Sequence, residues 1–89
     1  MMPKIRFTRR FLKSFARLPA AVQEKVKKQL ALLAEDPRHP SLQTKPIHGA
    51  SGIYEARVAI DYRLTYERDK DDTLVLRVVA RHDKALKNP

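Results

Sequence analysis

The sequence predicts an α+β fold, in which two N-terminal helices pack on a small, mainly antiparallel four-stranded sheet in the order β-α-α-β-β-β. Three observations carry that prediction. Apolar residues recur at a helical period between Phe11 and Leu33, and the period becomes two from Ile53 onward. Between these regimes lies a Pro-, Gly- and His-containing segment, residues 37–52. The 89 residues predict one domain, 1–89, because a chain of this size buries only roughly 60 to 65% of its unfolded surface and two cores would each be too small.

Lys4 to Phe7 predicts a short opening strand, after which Thr8 is suited to accept a backbone N–H bond and cap a helix. Phe11, Leu12, Phe15 and Leu18 form the apolar face of that helix, and Pro19 ends it. Proline also suits a first helical position, so Pro19 opens a second helix. In that helix Val22, Val26, Leu30 and Leu33 form a stripe, with Lys25, Lys27 and Lys28 largely off it. Pro37 stops it near Asp36. The two apolar faces need a sheet to cover them.

From Ile53 to Glu67, Tyr54, Ala56, Val58, Ile60, Tyr62, Leu64 and Tyr66 share one parity. Glu55, Arg57, Asp61, Arg63, Thr65 and Glu67 share the other, the alternation of strands buried on one side. The stretch is too long for one typical strand, which predicts a hairpin turning near Ala59 to Asp61. Arg68 to Asp72 predicts a second hairpin loop, and Thr73 to Ala80 a central strand with Val75 and Val79 on its second apolar face. Arg81 and His82 emerge where that strand ends, at a sheet rim where a rigid scaffold holds side chains in reach of solvent.

Nineteen Lys and Arg against ten Asp and Glu give a formal charge of +9. Such a charge attracts polyanions, nucleic acid first among them, or an acidic protein; the plainer reading is solubility. Without cysteine there is no disulfide framework and no thiolate zinc site, as expected of a cytoplasmic protein. The N-terminus lacks a signal-type apolar region and no run of eighteen apolar residues occurs, so no export and no membrane span are expected. His82 and Asp83 are adjacent rather than spaced to converge on a cation, so no metal site and no cofactor are expected. His39 and His48 read as loop residues that bond nearby backbone, and the lysines of the second helix as either a solvated face or an RNA contact.

FLKSFARLP, DPRHPSL, K-x-I-x-G, GIYEARV, DYRLTY and LRVVARHDKAL together resemble the RelE/ParE superfamily of bacterial toxins over nearly the whole chain. The resemblance implies a toxin of a type II toxin–antitoxin system, neutralised by a cognate acidic antitoxin. Members similar to RelE cut mRNA in the ribosomal A site by attack of a ribose 2′-hydroxyl on the adjacent phosphate; members similar to ParE poison DNA gyrase without hydrolysis. A nuclease of the first kind needs a base for the 2′-hydroxyl, an acid for the leaving oxygen and cations for the phosphorane. By resemblance, Arg63 matches the arginine at the scissile phosphate, Arg57 a basic catalytic position, and Arg81 and His82 the basic or imidazole position of the last strand.

Imidazole both accepts and donates protons near neutrality, which makes His82 the first choice for acid or base. Glu55 ranks behind it, because neighbouring arginines favour its charged form. Lys84, Lys25, Lys28 and Lys45 are the expected RNA-binding cations. Many ribonuclease members carry a catalytic tyrosine just beyond the basic group; here that region reads KALKNP, and Tyr54, Tyr62 and Tyr66 have the buried parity. Three functions are therefore weighed: a ribosome-dependent endoribonuclease, a gyrase poison, and a non-toxic basic module that only binds its acidic partner.

Overall fold

The computed structural model describes residues 4–89, so Met1, Met2 and Pro3 of the expected domain 1–89 lie outside the described residues. The elements are β1 (Lys4–Phe7), α1 (Arg9–Ala16), α2 (Ala20–Glu35), β2 (Lys45–Pro46), β3 (Ile53–Ala59), β4 (Tyr62–Arg68), β5 (Thr73–Arg81) and α3 (His82–Lys87). Five strands form one sheet in the order β1-β5-β4-β3-β2, with β1 parallel to β5 and the other pairs antiparallel. Two features correct the expected architecture. The sheet has five strands rather than four, because the loop after α2 adds the two-residue β2 at the edge, and a third helix follows β5 directly.

Thr8 caps α1 as expected. Its Oγ1 accepts from the Phe11 N–H at 3.1 Å and donates to the Leu76 carbonyl at 2.7 Å, which ties the helix start to β5. Pro19 stands one position earlier than expected, at the cap of α2, where its carbonyl accepts from the Val22 and Gln23 N–H groups at 3.0 Å. The core joins Phe11, Val26 and Leu33 of the helices to Ala56, Leu64, Leu74 and Leu76 of the sheet. Leu12, expected on the apolar face of α1, is exposed.

Residues 37–52 are tied down rather than loose. A 3₁₀ turn at Pro40–Leu42 buries Leu42, and His39 Nδ1 accepts from the Ser41 N–H, the backbone role expected for that histidine. Gln29, buried on α2, donates to the Ser41 and Arg57 carbonyls and so clamps helix, loop and β3 together.

The β3–β4 turn falls where expected, between Ala59 and Tyr62, but Ile60 sits at its tip and is 76% exposed despite its apolar parity. The register of β5 slips against β4, with Tyr66 opposite Leu76 and Thr65 opposite Val78, so Arg77 is the extra residue of a bulge. Leu74, Leu76 and Val79 consequently join the helix-covered core, and Val79 parts from Val75, with which it was expected to share a face. The opposite sheet face is covered as well. There α3 crosses β4 and β5, Ala85, Val75 and Val78 are buried outside the main core, and Arg77 Nε reaches the Pro89 carbonyl at 3.2 Å.

Candidate functional site

Arg57, Arg63, Arg81 and His82 lie toward one end of the sheet, where the β3–β4 turn meets the end of β5 and the start of α3. Arg57 lies directly opposite Arg63, so the two share the outer face as expected. Like charges in that position repel, and Arg63 escapes by folding its guanidinium toward the turn. Its Nη1 donates to the carbonyls of Ala59 at 2.8 Å, Tyr62 at 2.9 Å and Ile60 at 3.3 Å, and its Nε stands 3.6 Å from Glu55 Oε1. Glu55 is only 4% exposed. Arg63 is thus a brace for the turn, whereas Arg57 keeps a half-buried side chain without an ion pair among the described residues.

That turn positions the next group. The His82 N–H donates to the Asp61 carbonyl at 2.7 Å, anchoring the first residue of α3 on the turn that Arg63 holds. The His82 ring is 46% exposed, with Nδ1 3.4 Å from Asp83 Oδ1. Arg81 approaches Asp61 Oδ2 at 3.9 Å and lies over the Tyr62 ring, 5.3 Å from its centroid. Its side chain is 68% exposed, a cation held over an aromatic ring and still open to solvent. An imidazole and a guanidinium held this way can exchange a proton and steady a phosphate at one place.

Beside Arg81 opens a cleft of about 640 Å³ between α1 and α3, against the end of β5. Arg9, Arg10 and Lys13 of α1 and its C-cap Arg17 line it together with Arg81 and Lys84, and no acidic side chain among the described residues lines it. Tyr62, Val78, Val79 and Ala80 supply apolar lining. Lys84 therefore joins the site, whereas Lys25 and Lys28 are exposed on α2 outside the cleft. Lys45, on β2 opposite Glu55, lies outside it too. The α1 cations, together with Asp61 and Tyr62, are the residues that sequence reasoning missed. Their signal was present: Arg9, Lys13 and Arg17 recur every four residues, which stacks them on one ridge of a helix.

Such a ridge opposes the helix it sits on. Like charges at i, i+4 cost about 0.2–0.5 kcal/mol per pair, and cations in a first turn that holds no acid work against the helix dipole.

The molecule is a layered α+β domain with a cationic rim at the end of its last long strand. Among solved structures, the chain is similar to the archaeal RelE–RelB complex from Pyrococcus horikoshii OT3 at 20% identity, TM-score 0.75, covering 96% of this chain and 100% of that one. It is similar to the RelBE2 toxin–antitoxin complex from Mycobacterium tuberculosis at 25% identity, TM-score 0.77, covering 92% and 100%. The intact E. coli RelBE complex matches at 26% identity, TM-score 0.70, covering 89% and 95%. No curated protein matches the sequence. The family model described as the ParE toxin of the type II toxin–antitoxin system parDE matches residues 5–85. The chain belongs to that family, within the RelE/ParE superfamily of type II toxins.

Proposed function

We infer that this toxin is a metal-independent endoribonuclease that cuts mRNA on the ribosome in the cytoplasm and is held inactive by an acidic antitoxin. The observation that carries this reading is the solvent-open His82 ring anchored beside the stacked, exposed Arg81. In the reaction the ribose 2′-oxygen attacks the adjacent phosphorus while His82 takes its proton. Arg81, with Arg57 two strands away on the same end of the sheet, steadies the charge that builds on the phosphorane. The 5′-oxygen then leaves with the proton that the His82 imidazolium returns, giving a 2′,3′-cyclic phosphate, a free 5′-hydroxyl and neutral His82. Arg63 acts as a positioning residue through the turn. The antitoxin reading is supported by the structural relatives that are RelE–RelB and RelBE complexes.

The ParE family match favours a second reading, inhibition of DNA gyrase without hydrolysis, as does the absence of tyrosine from KALKNP. Primer extension on mRNA after a short induction pulse, read beside a gyrase supercoiling assay, separates the two. Codon-phased cuts that disappear in His82→Ala, which still folds and still binds antitoxin, are expected. Uncut mRNA with inhibited supercoiling overturns the nuclease.

A further inference from the structure

We propose that the cleft between α1 and α3 is a second phosphate-binding subsite, which grips the RNA strand beside the reacting bond through Arg9, Lys13 and Arg17. The proposal rests on the ribonuclease reading for its substrate, but not on cleavage for its test. A helix face turned only to solvent ordinarily mixes charge signs, whereas this ridge is all cationic, faces a concave surface and meets Arg81 and Lys84 from two other elements. Arg10 is occupied with the carbonyls of Asn88 and Pro89, which leaves Arg9, Lys13 and Arg17 without an ion pair among the described residues.

Successive ridge residues stand about 6 Å apart at 1.5 Å of helix rise per residue, close to the spacing of consecutive phosphates along an extended RNA strand. The set is rich in arginine, whose planar fork suits phosphate. Arg81 adds what an acidic peptide does not use: its guanidinium lies over the Tyr62 ring, 5.3 Å from the centroid, while the side chain stays 68% exposed and so open to a stacking base. With apolar lining at Val78, Val79 and Ala80, the cleft offers phosphate contacts along one wall and a stacking surface at its end. RNA is therefore favoured over an acidic protein segment as the occupant.

The test measures binding of a fluorescein-labelled 2′-O-methyl hexanucleotide, which lacks the attacking hydroxyl, by anisotropy at several salt concentrations. In Arg9→Gln/Lys13→Gln/Arg17→Gln, with circular dichroism confirming the fold, affinity is expected to fall roughly tenfold or more, and the slope of log K against log salt to flatten by about 2, from about 0.7 per lost phosphate contact. A control that removes three exposed cations elsewhere, Lys4→Gln/Arg38→Gln/Lys70→Gln, is expected to stay within about twofold of the parent with a nearly unchanged slope. Equal losses in both triple variants, an unchanged slope in the α1 variant, or displacement by polyglutamate but not by unlabelled RNA would each overturn the subsite. If the parent never cuts mRNA yet binds the analogue with the expected slope change, the nuclease reading fails and the subsite stands. Cutting by the parent with unaltered analogue binding in the α1 variant leaves the nuclease and removes the subsite.

Discussion

Arg63 directs one guanidinium nitrogen to three carbonyl oxygens of the β3–β4 turn and another toward Glu55, so its charge serves the fold before any ligand. Breaking a buried pair by neutralising one partner leaves the other charge uncompensated. Glu55→Gln is expected to lose about 3 kcal/mol in urea unfolding, and an unchanged midpoint would show that the pair is dispensable. Thr65 presents the opposite case. Its hydroxyl is buried between Glu55 and Val78 and has no hydrogen-bond partner among the described residues. Replacing it with an apolar group of the same shape removes an uncompensated desolvation penalty, so Thr65→Val is expected to gain about 1 kcal/mol in the same measurement. The shared face of Arg57 and Arg63 was legible from parity alone. The direction of Arg63 was not, because side-chain torsions and the turn's carbonyl array follow from tertiary contacts that parity does not encode.

Among the elements, α1 does more than cover the core. Strand β1 pairs with β5 only from Thr73 to Leu76, and α1 takes over along the rest of that edge. There Thr8 Oγ1 donates to the Leu76 carbonyl, and Ser14 Oγ accepts from the Val79 N–H at 3.0 Å. Ser14→Ala leaves that strand N–H without its acceptor and is expected to cost about 1–2 kcal/mol. Native-state hydrogen exchange checks it, with faster exchange at Val79 than in the parent. Helices α1 and α2 were legible because each is bracketed by a cap or a proline and carries an apolar stripe. The six-residue α3 and the two-residue β2 were not. Elements that short owe their structure to tertiary packing rather than propensity, in α3 through buried Ala85 and in β2 through pairing with Glu55 and Tyr54.

For the molecule as a whole, burial of Tyr66 raises its pKa above the ordinary phenolic value, against the opposing effects of the Arg68 charge and a hydrogen bond with Thr44. The unfolded chain therefore releases this proton first, so stability is unaffected by it below about pH 10 and falls as pH rises further. Chemical denaturation of Tyr66→Phe is expected to show a shallower alkaline decline than the parent; parallel curves would mean that other groups set the limb. The α+β class, the two N-terminal helices and the emergence of Arg81 and His82 at the end of β5 were readable in the sequence, whereas the cationic wall of α1 emerged only once the topology set it against α3. Arg77, the extra residue in β5, governs the orientation of everything after it. It acts as a phase correction: Leu76 and Val79 point inward three positions apart, and the count then delivers Arg81 onto Tyr62 and His82 onto the Asp61 carbonyl. Were Arg77 drawn into the ladder opposite Thr65 instead of bulging, every later residue would slip by one and turn its side chain to the other face, unmaking the site while leaving every one of its residues in the chain.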